Sequence, residues 1–227
     1  MTPDKPNWRE PAMRVAIIGT GSVGSALARA CVAAGHEVVL SARHAEHAAK
    51  LAADIGGQAA AANVDAVEGA DMVVLAVPSK AVASVLDEVR PRVEGKILVD
   101  PTNPMTDDYE ELFDASDSLA DAIQLLAPGA LVVKAFNTVF ASRIGDPVVD
   151  GVALDGFYAG DDEGAKATVA ELLAAIGFRP LDAGGLPAAR VLELMAVLHI
   201  GLNARNGWPW QSGWKLLGPG GGEEGDR

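Results

Sequence analysis

Short apolar runs alternate with stretches of helical period along most of this chain. "MRVAIIG" (13–19) is rich in β-branched residues and ends in glycine, the pattern of a strand buried on both faces. "SVGSALARACVAAG" (22–35) follows with apolar residues near helical spacing and Gly35 as its stop. "HEVVLS" (36–41) reads as a second strand, "AEHAAKLAADIGG" (45–57) as a second helix, and Gln58–Ala60 as a weak strand before a short helix near Val64–Glu68. The clearest buried strand is "DMVVLAVP" (71–78), followed by a helix that Pro91 should end. "KILVDPTNP" (96–104) is a fifth strand running into a proline turn. "SLADAIQLLAPG" (118–129) is a helix with Ser118 as its cap, and "ALVVKAFN" (130–137) a sixth strand.

Strands and helices alternating at this spacing predict an α/β fold, a doubly wound Rossmann sheet. The remainder reads differently. "DGFYAG" (155–160) and "FRPLDAG" (178–184) are short strands flanking a helix at 162–177, and "LPAARVLELMAVLHIGLNARNG" (186–207) is a long apolar helix. Its all-round apolarity predicts burial, within the chain or against another subunit. The expected organisation is a tail at 1–12, a dinucleotide-binding domain at 13–140, a small C-terminal α/β domain ending in that helix at 141–217, and a tail at 218–227.

Composition narrows the function classes. At 227 residues and 49% hydrophobic content the chain can bury a full core. Its net charge of −13 argues against nucleic-acid binding, which needs a basic face. No uninterrupted apolar run approaches the roughly 18 residues of a bilayer span, and no targeting pattern opens the chain, so no membrane partner and a cytoplasmic location are expected. Cys31 is the only cysteine, which leaves no disulfide and no thiolate metal cluster, and no metal site is expected.

The motif that carries chemistry is "GTGSVG". Gly19, Gly21 and Gly24 form G-x-G-x-x-G directly after a strand and directly before a helix. Gly19 suits the tight turn, Gly21 the close approach of backbone to a pyrophosphate, and Gly24 the contact of helix with strand. The end of the second strand normally carries an acid where the ribose 2′-hydroxyl of NAD is read. Here Ser41, Ala42 and Arg43 stand instead, a hydroxyl and a guanidinium suited to a 2′-phosphate, so NADP(H) is the expected cofactor.

Three further strand ends face the expected cleft: Pro78 and Ser79; Asp100, Thr102 and Asn103; Lys134, Asn137 and Thr138. Ser79 equally suits a helix cap, Asp100 and Asn103 suit turns beside prolines, and Lys134 could face either way. His199, alone on an apolar helix, reads as a hydrogen-bonded core residue. No catalytic acid or base is assigned. A hydride passing between two rings held face to face needs none, whereas a carbonyl reductase more often needs a donor to the developing alkoxide.

The segments "MRVAIIGTGSVGSALA", "AGHEVVLSAR", "ADMVVLAVP", "KAFNTVFA" and "FRPLDAGGLPAARVLELMAVLHI" together resemble the NADPH-dependent reductases of the deazaflavin coenzyme F420, from about Met13 to Leu217. The resemblance implies a Rossmann domain, a small C-terminal domain, a homodimer, and hydride exchange between NADP(H) and coenzyme F420 in a cleft between the domains. It implies that Thr20, Ser22 and Val23 join the phosphate turn, that Ser41 and Arg43 meet the 2′-phosphate, that Val77, Pro78 and Ser79 lie beside the nicotinamide, and that Asn137 and Thr138 lie near the second ring. Ile18 before the turn, His44 after the arginine and "AFNT" at the sixth strand depart from the family's commonest form. The alternatives are a direct NADPH reductase of a small carbonyl, imine, quinone or ferric acceptor, and an NADPH-binding redox sensor.

Overall fold

The computed structural model describes residues 12–106 and 117–218. Most of the two expected tails, 1–11 and 219–227, lies outside the described residues. Among the described residues, ten strands and eight helices follow in chain order: β1 Arg14–Ile18, α1 Ser22–Ala33, β2 Glu37–Ser41, α2 Ala45–Ile55, β3 Gln58–Ala59, α3 Asn63–Val67, β4 Met72–Leu75, α4 Val82–Val89, β5 Ile97–Asp100, α5 Leu119–Leu126, β6 Leu131–Ala135, α6 Ala141–Ile144, β7 Val148–Val149, β8 Val152–Ala153, β9 Asp155–Gly160, α7 Glu163–Ile176, β10 Arg179–Asp182 and α8 Ala189–Asn206.

Eight strands form one sheet in the order β10-β9-β6-β5-β4-β1-β2-β3, while β7 and β8 make a separate hairpin. β1 pairs in parallel with both β2 and β4, with Ile18 level with Ser41 on one side and Leu75 on the other. The chain therefore winds outward in one direction through β2 and β3, then returns and winds the other way through β4, β5 and β6. The crevice at the carboxyl ends of β1 and β4 is the switch point where such sheets bind ligands. β9 joins β6 antiparallel, and β10 follows parallel to β9, so the late strands extend the same sheet.

The sheet is buried on both faces. One layer packs Leu27, Cys31, Leu51, Ile144, Val169 and Leu173 against Ile17, Leu40 and Val133. The other packs Val67, Leu86, Val89, Ile123 and Leu186 against Ile18, Val73 and Leu98. This two-sided burial is why the strands read as continuous apolar runs rather than alternating ones.

Local signals place the helix ends. Ser118 caps α5 in a reciprocal capping box with Asp121, Asp162 caps α7, and α4 ends before Pro91 in a 3-10 turn over Arg90–Arg92. Ser79 makes no side-chain cap; it is the first residue of a 3-10 turn that follows Pro78.

The span Leu186–Asn206 is long and apolar enough to cross a bilayer by length and composition, with mean hydropathy 1.2. Its inner face nevertheless carries Glu193, His199 and Asn203, all buried and all hydrogen-bonded within the protein. Its outer face exposes Val191, Leu194, Leu198 and Leu202. The helix is thus two-sided rather than uniformly buried. Charged and polar residues point inward among the Leu and Ala of the core, and aliphatic residues point outward.

Candidate active site

The glycine turn between β1 and α1 has a separate reason for each glycine. Gly19 adopts φ +106°, a left-handed conformation open to glycine, and a side chain there would also overlap the carbonyl of Ala76. A side chain at Gly24 would overlap the carbonyl oxygen of Gly19, so this glycine lets the helix sit against the turn. At Gly21 no atom lies within 4 Å of where a Cβ would stand. The protein leaves that space open.

The turn is pinned from both sides. Gly19 N donates to Ser41 O at 2.8 Å, and Ser25 Oγ donates to Thr20 O at 2.9 Å. Gly21 caps α1 without a side-chain hydrogen bond, and the first turn of the helix carries no acidic residue. The bond from Ser25 N to Gly21 O, 2.8 Å, opens the helical ladder, so the N–H groups of Ser22, Val23 and Gly24 precede it. Together with the positive end of a 12-residue helix they suit a phosphate group.

A cavity of about 530 Å³ lies over this turn. It is bounded by Gly21, Ser22 and Val23 after β1, by 76–80 after β4, by Pro101, Thr102 and Asn103 after β5, by Met105 and Thr106, and by Ile200 from α8. Of the residues singled out in the sequence, Gly21, Ser22, Val23, Val77, Pro78, Ser79, Thr102 and Asn103 come together on its wall. Gly19 and Thr20 lie in the turn itself and Gly24 in the first turn of α1, and none of them is among its lining residues.

Ser41 and Arg43 sit apart, at the end of β2. Ser41 is buried, and its hydroxyl donates to Asn63 Oδ1 at 2.8 Å. Asn63 in turn donates to Glu88 Oε2 at 2.8 Å. Arg43 is exposed in the turn that follows.

Asn137 and Thr138 are buried just beyond β6, behind the wall rather than on it. Between β6 and Asn137, Phe136 adopts φ +64°, a strained value for a bulky residue and one that often marks a functional turn. Asn137 Nδ2 donates to Asn103 Oδ1 at 3.0 Å, and Asn103 Nδ2 donates to Asn137 O at 2.9 Å, so the two strand ends are tied together. Asn137 Oδ1 and Thr138 Oγ1 are buried with no hydrogen-bond partner among the described residues. An unmet polar atom in the interior is costly, so this pair favours a polar ligand group or water beside it.

Distant elements supply what the sequence left open: the partners of Lys134, whose direction it did not decide, and those of His199, which is the hydrogen-bonded core residue expected. They also bring in Glu193 and Ile200, which it did not single out. Lys134 is fully buried, and its ammonium donates to Asp100 Oδ2 at 2.8 Å, to Glu193 Oε1 at 2.9 Å and to Thr102 O at 2.6 Å. Burial raises the Glu193 carboxyl above the ordinary carboxylate value, and the neighbouring Lys134 opposes that rise. His199 bridges Thr138 O at 3.3 Å and Ser212 Oγ at 2.8 Å, between the rings of Phe140 and Trp214. Burial lowers its pKa, as suits a neutral core histidine. Ile200 and Glu193 both belong to α8, and no local motif marks either of them.

Residues 14–104 match the model of the family described as NADP oxidoreductase, coenzyme F420-dependent. Over 211 residues the chain is 36% identical to the F420-dependent NADP reductase of Methanothermobacter thermautotrophicus, covering 86% of this chain and 90% of that protein. A crystal structure from Arthrobacter sp. FB24, assigned as a candidate F420-dependent NADP reductase, superposes with a TM-score of 0.80 at 31% identity, covering 91% of this chain and all of that one. The imine reductase of Streptomyces aurantiacus shares the scaffold at 26% identity and a TM-score of 0.64, over 83% of this chain and 61% of its own.

Proposed function

Since the chain belongs to the family of F420-dependent NADP reductases, we propose that it exchanges a hydride between NADP(H) and coenzyme F420 at the mouth of the cavity above Gly21. The observation that carries this reading is the open space over Gly21. It lies at the positive end of α1, in a cavity that also reaches Pro78, Ser79, Thr102 and Asn103. That is room for a pyrophosphate at one end and for a flat ring system at the other.

When bound, the reduced nicotinamide supplies a hydride and the deazaflavin takes it up. What the chain contributes is binding, orientation and exclusion of water. In this reading Gly19, Thr20, Gly21, Ser22, Val23 and Gly24 hold the pyrophosphate, and Ser41 with Arg43 holds the 2′-phosphate. Val77, Pro78 and Ser79 back the nicotinamide, and Asn137 and Thr138 stand near the acceptor ring. No side chain is assigned as acid or base. Residues 13–140 form the cofactor-binding part and 141–217 the part that carries α8.

The proposal includes a homodimer in the cytoplasm. Val191, Leu194, Leu198 and Leu202 recur at helical spacing on the outer face of α8, with Val191 and Leu198 57% and 54% exposed. A second copy of the same helix would cover that stripe with its own.

The test is to mix the purified protein with NADPH and oxidised coenzyme F420 and to follow the visible absorbance of the coenzyme. Rapid bleaching that slows markedly with NADH is expected. Intact NADPH binding without bleaching would overturn the assignment of the acceptor. A direct reduction of an imine or carbonyl is the second reading, favoured by the buried hydroxyl of Thr138, which has no hydrogen-bond partner among the described residues, as a proton donor. A Thr138→Val variant that loses turnover of such an acceptor while still bleaching the deazaflavin would support it.

A further inference from the structure

The wall of the cavity that faces the glycine turn has no ladder of its own. Between β5 and α5 the segment Pro101–Pro104 is neither helix nor strand. Its shape is set by side chains. Asp100 Oδ1 accepts from Thr102 N at 2.9 Å and from Thr102 Oγ1 at 2.6 Å, and Asp100 Oδ2 accepts from Lys134. The same ammonium takes the Thr102 carbonyl. Every polar atom of Thr102 is therefore held, directly or through one carboxylate, by Lys134.

The third donor of Lys134 reaches 59 residues along the chain to Glu193 on α8. Glu193 Oε1 also accepts from Leu119 N at 2.9 Å, and its Oε2 lies 3.5 Å from Arg190 Nη1, an ion-pair contact without a hydrogen bond. Two carboxylates and two cations thus match within one buried cluster. Such a cluster is a poor device for stability alone, because apolar residues of similar volume often serve as well or better. It is a good device for fixing geometry. A three-donor ammonium with three different acceptors defines where a strand end, a loop carbonyl and a helix stand relative to one another.

We propose that Lys134 is a positioning residue of this active site. It sets the distance between the wall at Thr102–Asn103 and the glycine turn, and hence how closely an acceptor can approach the nicotinamide. It touches neither ring and acts through the loop. The inference rests on the reading of the cavity as the cofactor site, and its test separates the two.

The test uses the full chain. Asp100→Asn replaces the acceptor facing Lys134 without changing volume. The triple variant Lys134→Met/Asp100→Asn/Glu193→Gln removes three of the four charges and leaves only Arg190, whose side chain is 17% exposed, should the single variant fold poorly. Asp155→Asn serves as the stability control. It loses a buried carboxylate bonded to Arg179 and Lys215, on β9, next to the edge strand β10.

Four readouts are compared with the parent: NADPH affinity by titration, the fluorescence of bound NADPH, turnover with oxidised coenzyme F420, and the melting temperature. The cluster variants are expected to keep NADPH affinity within about threefold, to shift the emission of the bound nicotinamide, and to lose at least tenfold in kcat. The control is expected to melt earlier with kcat unchanged. Folded cluster variants with parental emission and kcat, or losses that merely follow melting in the control as well, would overturn the proposal. Absence of bleaching by the parent would remove the acceptor assignment instead, and the emission of bound NADPH would still decide the role of Lys134.

Discussion

The hydroxyl of Ser41 already donates to Asn63 Oδ1, at 2.8 Å, at the strand end where a dinucleotide's ribose is read. The orientation of the Asn63 amide is set in turn by Glu88, whose carboxylate only accepts and so draws the NH2 group towards itself. Ser41 therefore presents lone pairs, not its proton, until that bond is broken. With Asn63→Ala the bond no longer competes. One neutral hydrogen bond is worth about 1 kcal/mol, so NADPH affinity is expected to rise about fivefold while NADH affinity stays put. Calorimetric titration with both cofactors checks this, and an unchanged or weaker NADPH affinity would count against it.

Arg43 is exposed two residues beyond Ser41, so in the proposed reading it meets the 2′-phosphate from solvent. Reversing its charge in Arg43→Glu should raise the KM for NADPH by about ten- to a hundredfold, the range of one charge-assisted contact. The KM for NADH should move far less. Equal effects on both cofactors would sink the 2′-phosphate assignment.

The glycines of the turn should respond oppositely to the same substitution. Gly24→Ala drives a methyl into the Gly19 carbonyl, so the melting temperature should fall sharply. Gly21→Ala meets no protein atom within 4 Å, so the fold should melt as before while NADPH affinity drops at least tenfold. Differential scanning fluorimetry with and without NADPH distinguishes the two losses.

Burial lowers the pKa of His199 and of His36 from the ordinary 6.5. In that window the unfolded chain binds more protons than the folded one. Their contribution is therefore complete above about pH 6.5 and is lost as pH falls towards the folded values. Glu193, raised by burial, slopes the other way. The readout is accordingly the difference between parent and His199→Gln. The gap in melting temperature should be wide at pH 8 and narrow by pH 5. A gap that does not change with pH would mean that His199 does not titrate on unfolding.

The outer face of α8 offers a direct test of assembly. Leu198→Glu places a charge in the centre of the exposed stripe while leaving the inner face alone. Light scattering should then report a monomer, against a dimer for the parent. A parent that is already monomeric would end the dimer reading.

Much of this was legible in the sequence, for physical reasons that differ by element. Buried parallel strands need unbroken apolar runs, so 13–19 and 71–78 announced themselves. The glycine turn did so because sterics alone demand glycine at Gly19 and Gly24. Ser118 was recognisable as a cap because its partner, Asp121, is three residues away. Lys134 was not assignable, because its partners come from β5 and from α8 and the sequence carries no trace of that distance. The same holds for Ile200, and for the relay from Ser41 through Asn63 to Glu88. The helix at 186–207 read as apolar all round because its polar residues are the ones that face inward. A pattern-based reading expects them to face water.

The strand order has one more consequence, at the two margins of the sheet. One is β3, only two residues long; the other is β10, four residues with Pro180 among them. A two-residue ladder offers a third strand almost nothing to hold, and a proline removes one of the donors that another would need. Between these margins lie the longer strands of the sheet, among them the apolar β1, β4 and β6, each already flanked on both sides. The segments best suited to seed aggregation are thus the ones kept out of reach, and the sheet stops growing where its sequence is least adhesive.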